Sequence, residues 1–345
     1  MSKVRERVVH RYLYTYIQPF LPTNQSGFRR QDGTELQLAR LVHQISASRD
    51  SGLCVSACFF DLSKAFDRVW HEGLVAKLRH YGVSARALDW LRAYLTDRRQ
   101  RVQVDGVTSS WKTVPAGVPQ GSVLGPLLFL VYTIDLPNAC TNTHTTCSQF
   151  ADDTALITAT PTPHHTQQHL QQAVTSAANW LHDWHLLVNT EKTVTMTFYN
   201  DNRPPTLIPL IYLNNTQLKT VQQQRHLGIV FQHNLSWTSH INNILTKAMK
   251  SLHVLLKLRN SLNSPALITL YCTHIRPILE YACIALTPLP ISILDQLERF
   301  QRKAARVCLH LPIYGPLNHS MLLHRAALPT MYSRKKIKHL LFAHS

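Results

Sequence analysis

Three aspartates are the residues whose type and setting suggest chemistry. Asp61 ends the apolar run Val55–Leu62, and Asp152-Asp153 stands between apolar flanks in Ser148–Ile157. A charge at the edge of a buried strand is costly unless it is paired or binds a cation. An acid at a strand end and an acid pair at a hairpin tip could hold two divalent ions roughly 4 Å apart. All-oxygen ligands suit Mg²⁺, which keeps waters and substrate phosphates in its shell. Taken alone, a double Asp fits a solvated turn better than a metal site, and Asp61 fits the cap of a strand.

Several elements have to position these acids. Residues 1–50 read as two helical pieces around the turn-rich Pro22–Gly27, and Val55–Leu62 reads as a buried strand. Ser84 is placed to cap a helix with Leu88, Leu91 and Leu95 on one face. Arg98–Val104 alternates into Asp105-Gly106, a hairpin turn, and Ser110–Val114 returns. The loop Gly117–Gly125 leads into the apolar helix Pro126–Ile134, and Ser148–Ile157 reads as a hairpin with its carboxylates at the tip. Pro161–Pro163 opens a helix with Leu170, Val174, Ala177 and Leu181 on one face; Val194–Tyr199 alternates as a strand, and Asn214-Asn215 marks a further hairpin. Beyond about residue 238 the pattern is helical only. Ile241, Ile244, Leu245, Ala248, Leu252 and Leu255 form one stripe, Leu294, Leu297, Phe300, Ala304 and Val307 another, and Ser264-Pro265 reads as a cap with a first-turn proline. A domain boundary is therefore expected near 238.

Charge narrows the partners. The chain of 345 residues has 36 Lys+Arg against 19 Asp+Glu, a net charge of +17. Residues 239–345 hold 14 basic residues and three acids, so most of the surplus lies there. Such an excess favours a polyanion through phosphate neutralisation and counterion release. Seven cysteines, none in a C-x-x-C pair, make a poor disulfide framework and suggest reduced thiols in an intracellular protein; no Cys/His cluster has zinc-ligand spacing. No signal peptide or membrane span is expected, since the most apolar run, 123–134, is short and holds Gly125 and Pro126.

The segments around the acids carry a resemblance. Phe59-Phe60-Asp61-Leu62-Ser63-Lys64-Ala65-Phe66-Asp67, Gly117-Val118-Pro119-Gln120-Gly121-Ser122 through Pro126, and Phe150-Ala151-Asp152-Asp153 follow one another in order. Together they resemble motifs A, B and C of the reverse transcriptases of non-LTR retrotransposons of the LINE and Jockey type. Leu187–Thr193 resembles motif D, His226–Ile229 motif E, and the likeness continues into Gln301–Arg306.

The resemblance implies an α/β right-hand polymerase: fingers and palm over 1–237 with an antiparallel palm sheet, then an all-α basic thumb over 238–345. It implies Asp61, Asp152 and Asp153 as ligands of two Mg²⁺ ions, with Mn²⁺ as a substitute. Phe66 matches the aromatic beneath the incoming sugar that favours dNTP over rNTP, and Gln120 and Gly121 match the turn beside nucleotide and template. Lys192 matches the general acid towards pyrophosphate. Arg29, in Gln25-Ser26-Gly27-Phe28-Arg29, matches a fingers arginine for triphosphate or template phosphates. Leu227-Gly228 matches the hairpin that positions the primer end. Asp67 and Trp70-His71 fit the pattern after motif A in packing or salt-bridge roles.

The implied partners are an RNA template, a DNA primer and dNTPs, without a membrane; nucleus and cytoplasm stay open, as does oligomeric state. Arg334–Lys338 reads either as a nuclear signal or as a solvated or duplex-contacting helix face. The strand with an Arg-Pro-Ile signature that the family carries before Ser2–Val9 is missing, which suggests a truncated element. Three rivals remain on sequence grounds. They are another right-hand polymerase such as a group II intron maturase or telomerase-like protein, a catalytically inactive nucleic-acid-binding remnant, and a structural protein.

Overall fold

A computed structural model describes residues 2–202, 204–286, 289–312, 315 and 318–343. The chain parts into two compact units, one of residues 1–37 and 45–222, the other of residues 38–44 and 223–345. The expected boundary near 238 marks where strands give way to helices; the hairpin just before it belongs to the second unit.

The first unit opens with helix α1 (Ser2–Ile17) and both ends of helix α2 (Thr34–Asp50), whose residues 38–44 count with the second unit, followed by strand β1 (Cys54–Phe60). Next come α3 (His71–His80), α4 (Ala85–Leu95), an extended hairpin over 99–113, α5 (Gly125–Tyr132) and α6 (Leu136–Cys140). Strands β2 (Thr145–Phe150) and β3 (Asp153–Thr160), helix α7 (Pro163–Asp183), strand β4 (Val194–Phe198) and the short β5 (Lys219–Thr220) complete it. Among the described residues these strands form one sheet in the order β5-β4-β1-β3-β2. β1 is antiparallel to both neighbours, and only β5 on β4 is parallel.

Central position explains why β1 is apolar without alternation: every residue from Val55 to Phe60 is buried. α7 packs across β1 and β3. It starts at Thr162, whose hydroxyl accepts the His165 N–H, with Pro163 in the first turn, where a missing N–H costs nothing. The face bearing Leu170, Ala173, Val174, Ala177 and Leu181 is buried, as the spacing requires. Helix α5 is almost wholly buried and is apolar all round.

Within this packing Lys77 of α3 is buried. Its ammonium donates to the Tyr132 carbonyl and to Asp135, and lies 3.5 Å from the Trp184 ring centroid and 4.6 Å from that of Trp180. Burial lowers its pKa to about 8, against the raising effect of Asp135. The cation is kept because ring faces and a carboxylate replace its water.

In the second unit, β6 (Gln223–His226) and β7 (Ile229–Gln232) form a hairpin through Leu227 and Gly228, both at positive φ. The Tyr281 hydroxyl donates to the Leu227 carbonyl at 2.6 Å, and its ring lies 3.0 Å from where a Gly228 Cβ would be. Helices α8 (Thr238–Leu258), α9 (Ser264–Leu270), α10 (Arg276–Glu280), α11 (Ile291–Cys308), α12 (His319–Arg325) and α13 (Met331–Ala343) follow. The stripes expected on 241–255 and 294–307 face inward, with Leu245 and Leu294 at their half-buried margins. Arg334 of α13 pairs with Glu280, so one member of the basic run 334–338 is spent inside the bundle.

Two expected caps come out differently. Asn263, not Ser264, caps α9: its side-chain carbonyl accepts the Ala266 N–H at 3.1 Å, with Ser264 and Pro265 in the first turn. Ser84 does precede α4, yet its side chain makes no capping bond. Among the described residues no helix is long and apolar enough to cross a membrane.

Leu156 is fully buried at the centre of β3. Leu156→Ala is expected to lower stability by about 2–5 kcal/mol in urea unfolding, the range for a buried leucine that leaves a cavity.

Candidate active site

The register of the sheet brings the acids together. β1 and β3 pair with Phe60 opposite Thr154, so one further step sets Asp61 beside Asp153 at the same sheet end. β2 and β3 close with Phe150 opposite Asp153, leaving Ala151-Asp152 as a two-residue turn.

Electrostatics reports the same proximity. Burial pushes the Asp152 carboxyl above its ordinary value, and the charge of Asp61 adds to it. Asp153 is pushed up to about 6, first by burial and then by the charges of Asp152 and Asp61. One side of Asp153 is open to solvent, and water there works against the shift. Asp61 thus adds to the cost of ionising both acids of the turn, and Asp152 to that of Asp153, a setting in which a cation would be favourable. Among the described residues no three His, Cys, Asp or Glu side chains converge into a ready-made cage. The donors are all carboxylate oxygens on an open rim, and that set fits a hard divalent ion completed by waters and phosphate oxygens.

The turn itself is strained and braced. Ala151 sits at φ 57°, the left-handed region that a side chain resists. Its N–H donates to Gln25 Oε1 at 3.0 Å, and its carbonyl accepts from Gln149 Nε2 at 3.1 Å. The same Gln25 oxygen accepts the Gly27 N–H at 2.8 Å, and Ser26 N–H bonds the Gln149 carbonyl at 3.0 Å. A Cβ on Gly27 would fall 2.4 Å from the Ala151 nitrogen, so glycine is required for this approach. Gln25 and Gln149 are therefore positioning residues. Sequence alone assigns neither a role: Gln25 falls within the segment before Arg29, and nothing in its spacing points to residue 151.

Asp61 is clamped from the other side. Its carbonyl accepts the Asn189 N–H at 2.8 Å, and its N–H donates to Thr193 Oγ1 at 3.2 Å. Lys192 precedes Thr193 and is exposed, its N–H directed at Asn189. The segment resembling motif D is thus held against the strand-end acid.

Phe66 lies just beyond, in a short 3₁₀ turn entered through Lys64 at φ 51°. Its ring stacks on Phe129 of α5, centroids 4.3 Å apart, and meets Phe28 edge-on at 6.2 Å. The Phe66 carbonyl accepts the Val118 N–H at 2.8 Å, and that of Val69 accepts the Gly117 N–H at 2.8 Å. Gly117, at φ 93°, has the Asp67 backbone 2.8 Å from where its Cβ would be, so the two loops touch as only glycine permits. Gln120 donates to Asp67 at 2.9 Å. Gly121 has φ 77° with open space around it, so conformation rather than crowding calls for glycine. His71 shares a hydrogen bond with the Gly117 carbonyl at 2.8 Å. Glu6 of α1 accepts the N–H groups of Val123 and Leu124 at 2.7 and 3.3 Å, fixing the end of the loop at the N-terminus of α5.

Arg29 is directed into its own loop, its Nη1 donating to the carbonyls of Pro22 and Gln25 at 2.5 and 3.2 Å. The structure thus gathers Asp61, Asp152 and Asp153 and sets Phe66, Gln120 and Gly121 on adjoining loops. Lys192 stands on the strip that clamps Asp61, and Arg29 braces the loop that carries Gln25.

Comparison with known proteins agrees with this arrangement. The family model described as reverse transcriptase (RNA-dependent DNA polymerase) matches residues 1–237. Among curated proteins, a probable RNA-directed DNA polymerase from transposon BS of Drosophila melanogaster is 32% identical over 332 residues, 91% of this chain and 36% of the relative. The RNA-directed DNA polymerase from the mobile element jockey of the same species is 31% identical over 322 residues, 89% of this chain and 34% of the relative. The chain spans about a third of the length of these relatives. Among solved structures, an apo telomerase from Candida tropicalis superposes with a TM-score of 0.50 at 11% identity, covering 89% of this chain and 55% of that one, a likeness of fold alone.

A carboxyl whose pKa rises on folding costs stability once ionised. In chelator, the Asp153 contribution is absent below about pH 4, and stability falls as pH rises towards about 6. Thermal unfolding of the wild type and Asp153→Asn should diverge through that window in the variant's favour and run parallel above it. A gap that narrows with rising pH would contradict the mutual repulsion.

Proposed function

Because this chain belongs to the reverse transcriptase family, with relatives of the Jockey type among non-LTR retrotransposons, we propose that it is an RNA-directed DNA polymerase using two divalent ions. The observation that carries this reading is the meeting of Asp61 with Asp152-Asp153 at one end of the sheet, where burial and then the charge of Asp61 raise the pKa of both acids in the turn. In the proposed reaction the primer 3′-oxygen bonds to the α-phosphorus of a dNTP while the bond to pyrophosphate breaks, and an RNA strand selects the dNTP.

Asp61 and Asp152 would hold two Mg²⁺ ions, or Mn²⁺ in their place, with Asp153 assisting. When bound, the ions would acidify the primer hydroxyl and offset charge growing on the transferred phosphoryl group. The chain's own residues do the positioning. Gln25 and Gln149 hold the turn that presents Asp152, and Asn189 and Thr193 fix the strand end at Asp61. Phe66, backed by Phe129, offers a rigid ring on which a deoxyribose fits and a 2′-hydroxyl clashes. Gln120 and Gly121 border the nucleotide, Arg29 supports the fingers loop near its phosphates, and Lys192 supplies a proton to departing pyrophosphate.

Primer extension on poly(rA)/oligo(dT) with Mg²⁺ tests the reading. Asp61→Asn and Asp152→Asn should each lower the rate on the order of a thousandfold, while template–primer binding persists. Gln25→Ala, which frees the turn without touching substrate, should cost about a hundredfold in kcat with a smaller change in KM. A chain that binds template–primer without extending it, whether or not Asp152 is intact, would contradict the proposal.

A further inference from the structure

The sequence between α3 and the Gly117 loop carries a solvent-facing array that the polymerase chemistry leaves unused. On α4, exposed Arg86 and Trp90 and half-buried Tyr94 recur every fourth residue, and half-buried Arg98 follows just past the helix end. The Trp90 and Tyr94 rings stack nearly parallel, 5.6 Å apart at 6°. The Arg98 guanidinium lies 5.7 Å from the Tyr94 centroid, and the Arg101 guanidinium 4.6 Å from the Trp111 centroid across the hairpin. These groups alternate flat aromatic faces with flat cations.

The hairpin that bears half of them is unusual. Every residue from 99 to 113 is exposed, including Val102, Val104, Val107 and Trp111, the last 57% open. It is held by two short ladders, Arg99-Gln100 with Lys112-Thr113 and Gln103-Val104 with Val107-Thr108. A two-stranded ribbon with both faces wet is marginal alone and gains stability from something laid along it. Between Arg98 and Thr113 there are four basic residues against Asp105, so the complementary partner is an anion. Flat rings interleaved with guanidinium groups fit unstacked bases joined by phosphates, and a base-paired duplex hides those faces.

We propose that Trp90, Tyr94, Arg98, Arg101 and Trp111 form a stacking surface for single-stranded RNA, which rests on the polymerase reading in taking that strand to be unpaired template. The hairpin returns through Thr113 to Gly117, which packs on Asp67 beside Phe66, so the surface leads directly to the loop at the site.

The test is fluorescence anisotropy with the full chain in EDTA, where no nucleotide is added, using a labelled single-stranded RNA and a blunt RNA–DNA duplex of equal length. Trp111→Ala and Arg101→Gln should each weaken single-strand binding about tenfold, leave duplex binding within about twofold, and keep the circular dichroism spectrum unchanged. Trp111→Phe should restore most of the affinity. Unchanged single-strand binding in Trp111→Ala, or an equal loss on both ligands, would overturn the proposal. Failure of wild-type primer extension alongside a selective single-strand loss would sink the polymerase reading and leave this surface standing. Extension abolished by Asp61→Asn with no effect at Trp111 would do the reverse.

Discussion

Antiparallel pairing of β1 with β3 sets negative charges side by side, and much of the first unit answers to that repulsion. The ladder ends with Phe60 opposite Thr154, which brings Asp61 to the sheet end where Asp153 opens β3 and Asp152 stands in the turn between β2 and β3. Nothing in the hydrophobic core asks for three acids there. The contacts that hold this sheet end are made to backbone, at Asp61 itself and at Ala151 beside the acid pair. Asn189 and Thr193 hold the peptide of Asp61, and Gln25 and Gln149 hold that of Ala151. The carboxyls of the turn keep the cost that Asp61 adds to their ionisation, which a divalent cation, under the proposed function, would offset.

Around this centre the loops are joined by close backbone approach. Gly27 admits the Ala151 nitrogen, and Gly117 admits the Asp67 backbone, in both cases at distances a Cβ would occupy. Phe66 is wedged between Phe28 and Phe129, so a loop residue rests on a buried helix. Glu6 ties α1 to the start of that helix. Such a site is built on rigid elements, and small displacements in residues remote from the acids should be felt at them.

Much of this was legible in the sequence because the signals were local. The apolar run before Asp61, the apolar flanks of Asp152-Asp153, the Asp105-Gly106 and Asn214-Asn215 turns and the stripes after 238 each name an element through periodicity or turn chemistry. The three motif segments named the fold that the comparison with an apo telomerase also supports. What stayed hidden was long-range. Gln25 reaches 126 positions to Ala151 and Asn189 reaches back to Asp61, and no pattern in either neighbourhood encodes the partner. The Lys77 cage is equally invisible, since it needs Trp180 and Trp184 from another helix end. Asn263 taking the cap from Ser264 is a smaller case, in which two adjacent cap formers compete, either would leave proline in the first turn, and Asn263 makes the bond to the Ala266 N–H.

Anomalous diffraction from crystals of the protein with template–primer, a non-reactive dNTP analogue and Mn²⁺ tests the central claim most directly. The account predicts two manganese peaks beside the nucleotide phosphates, each in contact with carboxylate oxygen from Asp61 or Asp152. Peaks only at other acids, or an Asp61 side chain turned away from the turn at 151–152, would contradict it.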